Sequence, residues 1–64
     1  MKIKYDREVD IITIDQGDVG DKIAYGEEMG PFIAHFTEEG KLVLLEILEA
    51  SDFLSVAIKA MALP

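Results

Sequence analysis

Carboxylates are the most abundant chemical groups in this sequence, and two sets of them have a spacing that could do chemistry. In the first set, Asp6 and Glu8 stand in a polar turn close to Asp10. A hydrolytic acid and base pair needs two carboxyl groups in a concave, partly desolvated site that separates their pKa values. A hairpin tip is convex and wet. We therefore expect Asp6 to organise the turn by accepting backbone hydrogen bonds, and Asp10 to be solvated or to do the same.

The second set is an acidic loop at residues 15–21, where Asp15, Asp18 and Asp21 recur at every third position. Oxygen clusters of this kind suit hard cations such as calcium. A calcium-binding EF-hand loop, however, needs acidic residues at every second position, followed by a glycine and a glutamate at fixed places, and this loop lacks that register. We therefore expect a solvated acidic loop and no metal site.

His35 is the one histidine and the only side chain that exchanges protons near neutral pH without help. A three-histidine zinc site cannot be built from one histidine, and the chain has no cysteine to act as metal ligand or nucleophile. Phosphate-loop, dinucleotide-binding and nucleophile-elbow patterns are missing as well. We interpret His35 as a half-exposed strand residue of no assigned role. The sequence predicts no catalytic residue, no metal, no cofactor and no enzyme.

Short strands must position these side chains, because charged and apolar residues alternate along most of the chain. We predict strands over residues 2–5, 9–14, 23–27, 32–36 and 41–49, joined by tight links typical of an antiparallel meander. Gly40 supplies the turn before the last strand. A helix follows over residues 52–63, with Ser51 or Asp52 as its cap. The expected fold class is α+β: a small antiparallel sheet of four to five strands with one C-terminal helix, in a single domain over residues 1–64.

Composition excludes several classes of protein. Six basic against thirteen acidic side chains give a net charge of −7 over 64 residues, which opposes binding to nucleic acid or to an anionic membrane. A hydrophobic content of 50% is too high for a disordered acidic tail. The absence of cysteine excludes a disulfide scaffold. Charged residues at the start of the sequence do not form a signal segment, and we expect a cytoplasmic protein.

Two short segments form a specific combination. The first is YDREVD at residues 5–10, followed by an apolar strand, and the second is EGKLV at residues 39–43, leading into EILEAS at residues 46–51. In this order and spacing they resemble the family catalogued as domain of unknown function 2283, over residues 1 to about 52. The resemblance implies a small bacterial or archaeal β-sheet domain with a helical tail and no assigned activity. Some members look like the antitoxin halves of toxin–antitoxin pairs. His35 and Leu44 depart from the family pattern, where an acidic or amide residue and a glycine are usual.

Apolar surface is the feature of this sequence that points to a function. On a helical wheel, Asp52, Ser55 and Lys59 form one narrow polar stripe, and apolar residues cover nearly everything else. A helix on a small sheet buries an arc of about 100–140°, and this helix is apolar well beyond that arc. A small core that uses both helical faces, with some apolar residues left at the surface, is the alternative explanation. The candidate interface residues are Phe53, Leu54, Val56, Ile58, Met61 and Leu63.

Two functions from different classes follow from these observations. The first is a small protein-interaction or oligomerisation module, with a homo-oligomer, most simply a homodimer, as its assembly. A domain of this size buries only about 60% of its unfolded surface and gains most from a partner. The second is an antitoxin-like inhibitor whose apolar helix binds a small basic toxin, with the negative charge steering the encounter. A neighbouring gene for a small basic protein would favour the second.

Overall fold

The fold is a five-stranded antiparallel sheet followed by one helix. The structure is a computed structural model, and it describes residues 1–62. The elements are β1 (Lys2–Asp6), β2 (Ile11–Asp15), β3 (Tyr25–Met29), β4 (Phe32–Phe36), β5 (Leu42–Ile47) and α1 (Ala50–Ala62). The predicted α+β class, with an antiparallel sheet and a C-terminal helix, is confirmed.

The order of the strands differs from a simple meander. Neighbours run β1-β2-β5-β4-β3, so β5 lies at the centre of the sheet and β3 at its edge. The reason is the composition of the strands: β5 is apolar on both faces except for Glu46, whereas β3 has Gly26, Glu27 and Glu28 at its middle. At the centre of the sheet, the apolar strand β5 has a neighbouring strand on each side, which buries more of it. At the edge, the acidic residues of β3 oppose pairing with other chains. The nine-residue link between β2 and β3 takes the chain past the ends of β5 and β4.

Strand boundaries match the predictions to within two residues, and the links explain the differences. The first turn lasts until Asp10, which has a positive φ of 55°, so β2 begins at Ile11 and not at residue 9. β3 begins at Tyr25 because the acidic loop and its exit extend further than predicted. Gly40 adopts a φ of +88°, as expected for the turn before β5. That last strand ends at Ile47, and Leu48 donates its N–H to the carbonyl of Pro31 at 2.7 Å.

The two faces of the sheet differ in chemistry. Residues opposite each other on antiparallel strands point to the same face. The register therefore places a continuous set of apolar residues on one side of the sheet, which we name the apolar face. Its members are Ile3, Tyr5, Ile12, Ile14, Tyr25, Met29, Phe32, Ala34, Phe36, Leu45 and Ile47. Glu27, on the edge strand β3, is an acidic residue on the same side. The opposite face mixes charged and apolar residues, including Lys4, Thr13, His35 and Glu46.

The core of the single chain is small. Among the described residues, the buried hydrophobic side chains are Ala34, Val43, Ile47 and Ala50, and no large side chain is fully buried. Phe32 of β4 and Phe53 of α1 meet edge to face, with ring centroids 5.2 Å apart. This contact shows that the helix lies on the side of the apolar face. It covers only one end of that face, so the sheet and the helix each keep exposed apolar surface.

Candidate interaction surface

The outer parts of the apolar face are open to solvent. Ile3 and Tyr5 on one edge strand and Tyr25 and Met29 on the other are between 44 and 62% exposed. The central strands of the same face are only half-buried, except at Ala34 and Ile47. Tyr25 stacks on Phe36 with ring centroids 5.3 Å apart, so this end of the face is an ordered aromatic surface. It is an apolar surface that the described part of the chain leaves open to solvent.

The helix is equally uncovered. Of its thirteen residues only Ala50 is buried, Phe53 and Ala57 are half-buried, and the other ten are exposed. Leu54, Ile58 and Met61 recur at i, i+4 and i+7, which places them on one face of the helix. We name these three residues the helix stripe. Their exposed fractions are 42, 59 and 78%.

The predicted interface residues therefore fall into three groups. Phe53 packs against Phe32 and belongs to the chain's own core. Leu54, Val56, Ile58 and Met61 are exposed, with Val56 at 68% and on a different side of the helix from the stripe. Leu63 lies outside the described residues. The half-buried position of Phe53 was not distinguishable on the wheel, because the wheel does not show which side the sheet occupies.

The solvent-accessible surface area of the chain is larger than that of a typical monomer of this mass. The chain exposes 5,032 Å². A folded monomer of this mass exposes roughly 4,100 Å² by the usual scaling, so the surplus is about 900 Å². The Cα radius of gyration is 13.3 Å, against about 10.7 Å expected for a compact chain of 64 residues. Standard interfaces bury about 800 Å² on each partner. The surplus is thus about the area that one partner would cover.

A shallow groove lies beside the start of the helix. Gly30 and Pro31 of the β3–β4 turn form one wall, and Phe53 and Val56 form the other, with Leu48 between them. Its volume is about 480 Å³ and most of its lining is apolar. The groove adds apolar surface to the same end of the molecule, on the opposite flank of the helix from the helix stripe.

Asp10 connects the first turn to the helix, and sequence analysis missed this role. Its carboxylate accepts hydrogen bonds from the Tyr5 hydroxyl at 2.7 Å, from the Ser51 hydroxyl at 2.8 Å and from the Ser51 backbone N–H at 3.1 Å. The Asp10 carbonyl accepts the Ala50 N–H at 2.9 Å. The Tyr5 bond, and after it the Ser51 hydroxyl bond, hold the pKa of Asp10 below its ordinary value.

The helix is consequently capped from a distant part of the chain. The prediction that Ser51 or Asp52 caps it is wrong: the helix begins at Ala50, Ser51 is inside its first turn, and Asp10 accepts the free N–H groups. Glu49 precedes the helix with a positive φ of 49°. The segments YDREVD and EILEAS therefore meet in space, since Tyr5 and Asp10 come from one and Ser51 from the other.

Other aspartates of the first turn and the acidic loop are held in structural contacts. The Asp6 carboxylate accepts the Glu8 N–H at 3.0 Å, which confirms its predicted role in the turn. In the acidic loop, the Lys41 ammonium bonds Asp18 at 2.8 Å and Asp21 at 2.7 Å. Lys41 lowers the pKa of Asp21, and the two aspartates raise the pKa of Lys41. The acidic loop is therefore tied to Lys41 by two ion pairs, which the prediction of a solvated acidic loop did not include.

His35 lies on the mixed face, where its Nε2 donates to Glu46 Oε1 at 2.7 Å. Its ring lies over Gly26, where a Cβ atom would come within 3.3 Å of Nδ1. The predicted half-exposed strand position is confirmed. Among residues 1–62 no group of three or more acidic or histidine side chains is arranged to hold a metal ion. The structure therefore brings His35 together with one carboxylate.

Over the described residues, no helix is long and apolar enough to cross a bilayer.

A scan against family models matches residues 2–51 to the family described as "Protein of unknown function (DUF2283)". No match was found among curated proteins or among solved structures. The matched region ends at Ser51. It therefore includes the whole sheet and the contact between Asp10 and the start of the helix. The chain belongs to the DUF2283 family.

Proposed function

We propose that this protein is a small non-enzymatic interaction module that works as a homodimer. The single observation behind the proposal is that the outer parts of the apolar face and the helix stripe are both exposed in the chain on its own. Monomeric proteins seldom leave a continuous apolar patch of several hundred Å² exposed, and such patches usually mark interaction sites. We expect the dimer to work in the cytoplasm, with which the cysteine-free composition agrees.

A second copy is the partner that the surface fits best. The surplus of about 900 Å² is close to the area that each partner buries in a standard interface of about 1,600 Å². The exposed residues are mainly Ile, Leu, Met and Tyr, and apolar interfaces of this kind are typical of permanent homodimers. A net charge of −7 on each copy opposes association, but the apolar face itself has one acidic member, Glu27, at its edge.

The alternative is an antitoxin-like inhibitor. It rests on the family resemblance and on the excess of thirteen acidic over six basic side chains, which would attract a basic protein. In that case the same apolar residues of the helix would bind a small basic toxin. The purified chain alone would then stay monomeric, which separates the two proposals.

The test compares two aspartate substitutions on the same helix. Ile58→Asp places a charge in the helix stripe, and Ser55→Asp places the same charge on the polar side. If both copies bury Ile58 at the interface, the loss is about 1.5–3 kcal/mol for each side chain. The dimer should then dissociate about 10²- to 10⁴-fold more readily. Light scattering after size-exclusion chromatography measures the mass, and far-UV circular dichroism confirms that both variants are folded.

We expect the wild type and Ser55→Asp to elute as dimers and Ile58→Asp to shift to monomer at the same micromolar concentration. Equal masses for Ile58→Asp and Ser55→Asp would show that the helix stripe is not part of an interface. A folded monomer for the wild type at hundreds of micromolar would contradict the homodimer.

A further inference from the structure

We infer that the two copies exchange helices, so that the helix stripe of each copy lies on the apolar face of its partner, while the first turn of each helix stays on its own sheet. This inference rests on the proposed homodimer and goes beyond it by naming what covers the sheet. The same chain has two uncovered apolar surfaces, a flat sheet face and a helix stripe. In α+β domains, the apolar face of a sheet packs against the apolar stripe of a helix.

The chain cannot bring these two surfaces together by itself. Only two residues, Leu48 and Glu49, link β5 to α1, so the helix leaves the sheet in a fixed direction. The Asp10 carboxylate and carbonyl hold the first helical N–H groups, and Phe53 packs on Phe32. These contacts fix the first turn of the helix at one end of the sheet. The described end of the helix, residues 58–62, is exposed all round.

The helix stripe is short enough to fit within the apolar face. From Leu54 to Met61 the helix stripe is about 10 Å long at 1.5 Å per residue. Five strands about 4.8 Å apart make a sheet about 19 Å wide. The stripe of one helix therefore spans about half the width of the face. Because each copy would give one helix and receive one, the contact closes with two-fold symmetry and leaves no free end to extend.

In the exchanged dimer, the contact between Asp10 and Ser51 would set the direction of the helix. A helix free to turn at Glu49 could fold back onto its own sheet and complete the core of a monomer. Asp10 binds the Ser51 hydroxyl and backbone N–H together and so fixes where the first turn of the helix lies. The contact between Tyr5, Asp10 and Ser51 therefore directs the helix toward the partner.

Cross-linking between two different chains tests the exchange, and the chain has no native cysteine to interfere. One copy has Ile58→Cys in the helix stripe. The other, with a mass tag, has Ile14→Cys on the apolar face or, as the control, Thr13→Cys on the opposite face of the same strand. The pairs are co-expressed, checked for folding by circular dichroism and for mass by sedimentation, and treated with a short bis-maleimide.

We expect a cross-linked heterodimer several-fold more abundant for Ile14→Cys than for Thr13→Cys. Dimers in which Thr13→Cys reacts as well, or in which only Ile58→Cys joins Ile58→Cys of a second copy, would overturn helix exchange and leave the homodimer standing. A monomeric mass for all pairs would overturn the homodimer itself.

Discussion

Replacing Phe53 and its neighbour Leu54 separates the chain's own core from its interface. The ring of Phe53 is half-buried and meets Phe32 edge to face at 5.2 Å. Full burial of such a side chain is worth about 1.5–3 kcal/mol, and the aromatic pair adds about 0.5–1.5 kcal/mol. Because part of the ring is exposed, we expect Phe53→Ala to lower the free energy of unfolding by about 2 kcal/mol. A 64-residue domain has only about 3–10 kcal/mol in total.

The assay is urea unfolding followed by circular dichroism at two protein concentrations. The loss in Phe53→Ala comes from a contact within one chain, so it persists under dilution. Leu54→Ala removes an exposed side chain of the helix stripe, so its effect should shrink as the wild-type dimer dissociates. A change below about 0.5 kcal/mol for Phe53→Ala, the range of ordinary surface substitutions, would refute the assignment of Phe53 to the core.

Three further predictions concern the contacts that position these surfaces. Asp10→Asn keeps a residue that tolerates the positive φ but removes the charge. Since the pKa of Asp10 is lowered from 3.8, its charge stabilises the fold above that pH, and the stability difference between wild type and Asp10→Asn should shrink in acid unfolding below pH 3.8. Gly17→Ala would place a Cβ atom 2.7 Å from the Val43 side chain, and we expect a loss of about 1–3 kcal/mol in urea unfolding. Calorimetry with calcium should show no stoichiometric site tighter than about 10 μM, because the Lys41 ammonium already binds the carboxylates of Asp18 and Asp21; a tighter site would contradict that arrangement.

Much of the fold could be predicted from local patterns. Alternating apolar residues placed all five strands, and the turn at Gly40 followed from the need for a positive φ. The strand order could not be read in the same way, because a meander and the observed order use the same strands and differ only in which pairs meet. The extra apolar residues of β5 were visible in the sequence and are the physical reason that it lies at the centre.

The contacts that hold the helix were harder to predict, because they join distant positions. Asp10 and Ser51 are 41 residues apart, and the capping rules consider only residues next to the helix start. Lys41 reaches Asp18 across 23 positions for the same reason. The excess of apolar residues on the helix was predictable. Which of them face the sheet was not, because Phe53 and Val56 differ in exposure only through the direction in which the helix leaves β5.

Sedimentation equilibrium of the wild-type chain, from micromolar to hundreds of micromolar, tests the central claim most directly. If a second copy covers the apolar face and the helix stripe, the mass should be twice the 7.1 kDa of the chain over most of that range. A mass of 7.1 kDa at every concentration, with the strand and helix signals intact, would contradict the claim. The exposed surface of 5,032 Å² would then be that of a monomer stable without a partner.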